Sequence, residues 1–435
     1  MGAKRLGHTL TVTTDDGSAG RRGLVTDPLP ALLERSQVGQ VFACGPMPML
    51  AAVSRVAGQH GVPCQVAVEE LMACGTGICF TCVVPVADPR RPDGAARMAR
   101  SCLEGPVFDG AAIAWAELGY PGAGGAGPVT VDLSVDLCGV RLRTPVLAAS
   151  GCFGFGRELA GWLDLDRVGA VVTKSVSLEP RRGRPTPRMA ETPSGMLNAI
   201  GLQNPGVEAF CAGDLRFLAG AGATVVASLV GRTPEEFGRL AGRLDGEPGI
   251  ALVEVNLSCP NVEHRGEVFA TDPAAAAEVV AAVKAATGLP VLAKLTADVT
   301  DLVAVARAVV DAGADGLTLI NTLLGMAVDV GHRRPRLAAV TGGLSGPAIR
   351  PVAVRCAWQV AQALPGVPIV GTGGILTGED AAEFLLVGAT AVAVGTGSFL
   401  NPRAVVEVAD GMERYLAAAG VGSPAELPSL FKAER

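Results

Sequence analysis

The sequence predicts an α/β protein whose larger part is a closed (β/α)8 barrel, with a smaller cysteine-bearing segment in front. Three observations carry that expectation. Eight apolar, strand-like runs end near residues 150, 174, 228, 256, 294, 320, 371 and 394. Runs of helical periodicity lie between most of them, at 158–166, 233–244, 273–287, 298–311, 350–363 and 378–387, with 402–418 after the last. Four of the eleven cysteines crowd into residues 74–102, ahead of that alternation. Eight strand–helix units in series favour closure over an open doubly wound sheet.

Composition agrees with this architecture. A chain of 435 residues exceeds one ordinary domain. Hydrophobic residues make up 49% but aromatics only 4%, so the cores must be built from Ala, Val, Leu and Ile, as in parallel α/β folds. The net charge of −6 gives no basic field, which argues against nucleic acid as a partner. No run of about 18 apolar residues is free of Asp, Arg, Gly and Pro, which argues against a membrane span. The start, MGAKRLGHTLTV, lacks the apolar stretch and cleavage site of a signal peptide, so a cytoplasmic protein is expected.

The elements follow in order. TLTVTTDDG reads as a strand into a turn, and DPLPALLERS as a short helix. VFACGP is an apolar strand ending on Gly-Pro, and MPMLAAVSRVAGQHG a helix closed by glycine. Residues 1–62 thus resemble the second half of a nucleotide-binding α/β module, without the half that would carry a Gly-rich phosphate loop. Within 63–116, CGTGICFTC gives C-x4-C-x2-C, and Cys102 follows Cys82 after nineteen intervening residues. That is the start of the plant-type ferredoxin spacing, so Cys74, Cys79, Cys82 and Cys102 are expected to hold a 2Fe–2S cluster in a small ferredoxin-like domain. Zinc is the competing reading, but structural zinc usually shows paired C-x2-C knuckles and only one is present. ELGYPGAGGAGP, 117–128, reads as a linker, and the barrel takes 129–435.

In such a barrel the active site stands at the C-terminal strand ends. Those ends carry Ser150 with Gly151, Lys174 with Ser175, Ser228, Asn256, Lys294, Asn321 with Thr322, Gly373 with Gly374, and Gly395 with Thr396. Turn chemistry explains some of the Ser and Gly. It does not explain two lysines and two asparagines closing buried strands, because a buried charge needs a partner. An anionic ligand in the mouth would supply one. The glycines of GTGGILTGED and VGTGSFL let backbone N–H groups approach a phosphate. Cys259 and Asn261 lie just past a strand end, in EVNLSCPNVEH. A free cysteine is most often an inert small hydrophobe. With Ser258, Pro260 and two asparagines around it, Cys259 instead suits a general base.

Six motifs together resemble the class 1 dihydroorotate dehydrogenases: ASGCFGFGRE, TKSVSLEPRRGRPTPR, SGMLNAIGLQNPG, NLSCPN, INTLLGM and GTGGI. The likeness runs over about 130–430 and is to the catalytic subunit that works with an iron–sulfur flavoprotein. It implies oxidation of dihydroorotate to orotate through FMN, in pyrimidine biosynthesis. Cys259 would remove the C5 proton while hydride passes from C6 to FMN, and Lys294 would stabilise the charge of the reduced ring. Lys174, Asn198, Asn256, Asn261, Asn321 and Thr322 would orient the substrate, with Ala199, Ile200, Gly201 and Leu202 lining its pocket. FMN would be held by Ser150, Lys174, Ser175, Ser228, Asn256, Lys294, Ile320, Gly346, Gly373, Gly374, Gly395 and Thr396. Ser228 is a departure, since relatives usually carry Asn there.

The front segment has its own likeness. VFACGPMPML, VPCQVAVEELMACGTGICFTCVVP and RSCLEGPVFDG resemble the C-terminal part of the electron-transfer subunit of the same enzymes, fused here in truncated form. In that family Cys44, Gly45 and Pro46 would lie near the nicotinamide of NAD. The part that would hold FAD is not in the sequence, so FAD and NAD are expected only through a partner chain. Resemblance further implies a homodimer through the barrel. Two rival readings remain at this point: a cluster-bearing enzyme passing electrons directly to an acceptor such as fumarate, and a non-catalytic flavin and iron–sulfur relay. Cys64, Cys138, Cys152, Cys211 and Cys356 read as core or loop residues.

Overall fold

The computed structural model describes residues 10–35, 38–87, 96–120, 131–257, 263–264 and 267–431. Cys259, Asn261 and most of the expected linker lie outside the described residues. The chain divides into two compact units, Met1–Gly127 and Pro128–Arg435.

The second unit is a closed barrel of eight parallel strands: β1 (Val146–Ala148), β2 (Val171–Val172), β3 (Val225–Leu229), β4 (Ile250–Asn256), β5 (Val291–Leu295), β6 (Gly316–Leu319), β7 (Ile369–Thr372) and β8 (Ala391–Val394). Each strand pairs with its neighbour in sequence, and β8 closes on β1 through Val146–Val392. The outer layer holds α1 (Pro234–Leu244), α2 (Pro273–Lys284), α3 (Leu302–Asp311), α4 (Arg350–Ala363), α5 (Gly378–Leu386) and α6 (Ala404–Ala419). Several begin on the side-chain caps their sequences carry. Thr233 accepts from Glu236 N–H, Asp301 from Ala304 N–H, and Thr377 forms a reciprocal capping box with Asp380. Each such cap contributes about 1 kcal/mol.

Strand period divides the core in two. Val225, Ala227 and Leu229 pack outward under the helices, whereas Val226 packs inward with Leu147, Val172, Leu252, Leu292, Val370, Ala391 and Ala393. The hairpin Val135–Leu137/Val140–Leu142 adds Val135, Leu137 and Leu142 to that inner cluster. A Cβ on Gly316, at the start of β6, would stand 2.8 Å from Cys138 Sγ, so the hairpin floors the barrel at its N-terminal end. Two residues further up each strand, the same inward face carries Lys174, Ser228, Glu254, Lys294, Thr318, Thr372 and Gly395. Those positions lie at the mouth.

Three features depart from the sequence expectation. The helix expected over 158–166 does not form; turns fill the region, followed by a 3-10 turn at Leu165–Arg167. Gly154 and Gly156 have φ of 61° and 83°, which reverses the chain before a helix can start. A helix at 207–220, with a π turn at Cys211–Leu215, supplies the layer after β2 instead. A four-stranded antiparallel sheet also stands beside the barrel, made by Met189–Thr192, Gly195–Asn198, Thr341–Ser345 and Leu323–Met326.

In the first unit Val41–Cys44 pairs in parallel with Cys64–Ala67, which pairs antiparallel with Val107–Asp109. The segments either side of residue 62 therefore share one sheet. The helix Met47–Gln59 lays Leu50, Val53 and Ala57 on it. Val83–Ala87 and Ala96–Arg100 form a hairpin beside the loop of Cys74, Cys79 and Cys82. No helix among the described residues is long and apolar enough to cross a membrane.

Candidate active site and cysteine cluster

The mouth is polar because the inward face of adjacent strands ends there on side chains that bond one another. Glu254 is 1% exposed and Lys294 6%. Lys294 Nζ lies 3.5 Å from Glu254 Oε1, which also accepts from Ser228 Oγ at 3.4 Å, while Thr318 Oγ1 donates to Oε2 at 3.0 Å. Ser228 Oγ and Ser175 Oγ are 2.9 Å apart, and Asn256 Nδ2 donates to Ser175 Oγ at 3.0 Å. Asn321 Nδ2 donates to Asn256 Oδ1 at 3.3 Å, and Asn321 Oδ1 accepts from Thr322 N–H at 2.9 Å. Six of the residues singled out from the sequence thus form one network: Ser175, Ser228, Asn256, Lys294, Asn321 and Thr322.

The antiparallel sheet brings in residues from a distant part of the chain. Asn198 Nδ2 donates to Gly343 O at 3.4 Å, and Gly343 packs against the Thr322 side chain. Ala199 to Leu202 follow, pinned to the arginine-rich segment by Ala199 N–H to Arg188 O (2.8 Å) and Arg184 N–H to Ile200 O (3.0 Å). Ile320 and Asn321 are held by N–H bonds to Thr372 O (3.0 Å) and Leu295 O (2.8 Å).

The second lysine belongs to the same space. Burial lowers the Lys174 pKa, the Arg188 guanidinium lowers it further, and Glu158 and Cys152 act against them. Cys152, in the turn after Ser150 and Gly151, has its thiol pushed up to about 11 by burial, although Lys294 and Lys174 favour its thiolate. Its Sγ is 3.6 Å from where a Cβ on Gly395 would stand. Reading Cys152 as a core or loop residue was correct as to its loop and missed that it lines the mouth. Cys64, Cys211 and Cys356 are buried.

Opposite the lysines, three glycine-bearing loops converge. Gly374 has φ of 75°, and a Cβ there would lie 2.8 Å from Gly346 O and 3.0 Å from Pro347 Cα. Thr396 Oγ1 donates to Ser345 Oγ at 2.8 Å, tying the end of β8 to the same loop. Ser398, 4% exposed, leaves its hydroxyl without a hydrogen-bond partner among the described residues. Backbone N–H groups, hydroxyls and an orphaned donor are what a phosphate monoester needs, so the residues present fit a phosphorylated flavin.

In the first unit the cysteines associate in pairs. Cys74 Sγ accepts from Thr76 N–H at 3.4 Å and Cys79 N–H at 3.5 Å, and Cys82 Sγ accepts from Cys102 N–H at 3.5 Å. Hydrogen bonding, first from the Thr76 side chain and then from the Cys79 backbone, holds the Cys74 thiol down to about 5. Arg100 clamps the loop, donating to Gly77 O at 3.1 Å and lying 5.0 Å over the Phe80 ring. Among the described residues no three His, Cys, Asp or Glu side chains gather around a single-metal site. Hydrogen bonding from Cys102 likewise lowers the Cys82 thiol, whereas its bond to Cys82 raises that of Cys102; a donor set made of sulfur alone fits an iron–sulfur cluster.

Glu254, Thr318, Ser345 and Thr173, whose Oγ1 accepts from Ser228 N–H at 3.1 Å, were not singled out from the sequence. Glu254 had a legible signal, a lone charge inside the apolar run IALVEVN.

Comparison with known proteins follows the same division. The family profile described as dihydroorotate dehydrogenase matches residues 132–416. The profile described as iron-sulfur cluster binding domain of dihydroorotate dehydrogenase B matches residues 69–114. The protein named dihydroorotate dehydrogenase B (NAD(+)), catalytic subunit, of Pelobacter propionicus is 56% identical over 296 residues, 68% of this chain and 97% of its own length. Those of the same name from Geotalea daltonii and Geobacter sulfurreducens are 55% and 54% identical, over 69% and 68% of this chain and 98% and 97% of theirs.

Proposed function

The chain belongs to the dihydroorotate dehydrogenase family, and we propose that its barrel oxidises dihydroorotate to orotate on FMN, with electrons leaving through a 2Fe–2S cluster in the front unit. One observation carries the reading: a lysine and two asparagines from three neighbouring strand ends, Lys294, Asn256 and Asn321, share one network, buried at the lysine and half-buried at the asparagines, facing a glycine cradle. A flat anionic pyrimidine and a phosphorylated flavin together match that division of the mouth.

FMN, when bound, supplies the hydride acceptor. Ser150, Ile320, Gly346, Gly373, Gly374, Gly395 and Thr396 would hold it, its phosphate on the glycine pairs. Lys294 would offer its ammonium to the negative charge of the reduced ring, and Ser175, Ser228 and Asn256 would hydrogen-bond the flavin. Asn198, Asn256, Asn261, Asn321 and Thr322 hydrogen-bond the substrate's amides, while Lys174 meets its carboxylate. Ala199, Ile200, Gly201 and Leu202 shape the pocket wall. Cys259, as thiolate, takes the proton from C5; the C6 hydrogen leaves with its electron pair, and the carbon–carbon double bond of orotate forms.

Cys74, Cys79, Cys82 and Cys102 would hold the cluster and supply four thiolate ligands, and their C-x4-C-x2-C spacing with a fourth cysteine further on supports a two-iron one. The names of the relatives support NAD+ as the acceptor and a further subunit beside the catalytic one; an FAD-containing partner chain and a barrel homodimer rest on the family resemblance alone.

Cys259→Ala tests the chemistry. FMN should stay bound while its anaerobic reduction by dihydroorotate slows about 10²-fold or more, the usual scale for a general base. An unchanged single-turnover rate removes Cys259 from the mechanism.

A further inference from the structure

The reaction needs Lys294 but does not by itself need Glu254, yet Glu254 is the most deeply buried charge in the mouth, 1% exposed. A carboxylate in such a place is costly unless every oxygen is satisfied. Here both are. Oε1 meets Lys294 Nζ at 3.5 Å and Ser228 Oγ at 3.4 Å, and Oε2 accepts from Thr318 Oγ1 at 3.0 Å. Three strands therefore hold the carboxylate carried by β4: its two neighbours, β3 through Ser228 and β5 through Lys294, and the next strand, β6, through Thr318. Strand register sets Lys294 across from Asn256, one inward position above Glu254, within reach of its carboxylate. Ser228 is paired across from Glu254, and Lys294 from Thr318.

The network also runs outward. Asn321 Nδ2 donates to Asn256 Oδ1, Asn256 Nδ2 to Ser175 Oγ, and the Ser175 and Ser228 hydroxyls are 2.9 Å apart before Ser228 donates to Glu254. A single line of hydrogen bonds links the asparagines assigned to the substrate with the carboxylate that faces the ammonium. Ser228, where relatives usually carry Asn, is the joint of that line.

We infer that Glu254 is a positioning residue that fixes the Lys294 ammonium and offsets part of its charge, and so sets how strongly the mouth favours reduced over oxidised FMN. This rests on the reading of the mouth as an FMN site. Glu254 touches neither substrate nor flavin in this account; it acts through Lys294. Replacing the carboxylate by a neutral amide leaves the ammonium's charge unopposed, so the negatively charged reduced flavin gains and the neutral oxidised one does not.

The test is the ratio of dissociation constants for oxidised and reduced FMN, measured on the full chain by titrating apoprotein under air and under anaerobic reduction. Glu254→Gln should raise that ratio about tenfold or more. In a Lys294→Met background the same substitution should change it less than about twofold, because the ammonium through which Glu254 acts is no longer there. Should Glu254→Gln not yield folded protein, Glu254→Asp replaces it; drawing the charge back by one methylene should raise the ratio at least about threefold. A ratio within about twofold of the unmodified chain overturns the inference, as does an equal change in the Lys294→Met background, which marks a merely structural role. If the unmodified chain takes up no FMN, the reading of the mouth fails and this inference with it. FMN uptake with an unmoved ratio defeats the inference alone.

Discussion

At Lys174 the burial of an ammonium meets two opposing neighbours. Burial and the Arg188 guanidinium lower its pKa, whereas Glu158 and Cys152 hold it up. The charged form is the one that binds a carboxylate, so affinity for orotate is lost as pH rises through the lowered value. An ordinary lysine titrates near 10.4. Orotate binding, followed by the flavin difference spectrum, should therefore weaken at a pH below that, and Lys174→Met should abolish the dependence. A flat dissociation constant up to about pH 10 would contradict the assignment. Residues of this kind were legible because a lysine closing an apolar strand has few structural explanations. Cys152 was not, since nothing in its own sequence says that the turn after β1 folds toward Gly395. Ser228 was legible as a departure but not as the link between Ser175 and Glu254, which only the strand register creates.

Among the elements, β7 and α5 show how closely the barrel wall is built. A Cβ on Gly371 would overlap the Phe384 ring, 2.9 Å from its Cγ, and both residues are fully enclosed. Gly371→Ala should cost about 1–3 kcal/mol, the usual scale for overpacking. That corresponds to a drop of a few degrees in the thermal midpoint of the barrel. An unaltered midpoint would show that α5 can move aside. The eight strands and six of the seven expected helices were legible from period alone. The helix expected at 158–166 was misread because its apolar spacing is helical, while Gly154 and Gly156 turn the chain just before it. The antiparallel sheet of 189–198 and 323–345 was not read, because its strands are four or five residues long, glycine-rich and without clean alternation. Yet that sheet delivers Asn198 and Thr322, which sequence motifs had already marked. Motif likeness located the residues and could not show what carries them.

On the scale of the whole molecule, the chain comprises two units: a barrel with a polar mouth and a front unit that carries the cysteine-rich loop. Their separation was legible in the change of pattern near residue 128, and the cluster loop in its cysteine spacing. If the units are chemically separable, Cys79→Ser should abolish the cluster's visible absorption and slow steady-state turnover with an external acceptor severely. Single-turnover reduction of FMN by dihydroorotate should keep its rate within about twofold. Loss of that first step in Cys79→Ser protein would mean that the cluster supports the barrel site itself.

Anaerobic mixing of the purified chain with dihydroorotate, followed by flavin absorption, addresses the central claim most directly. Bound FMN should bleach in step with the formation of one orotate per flavin before the cluster spectrum changes. FMN that stays bound and oxidised under excess dihydroorotate would contradict the account.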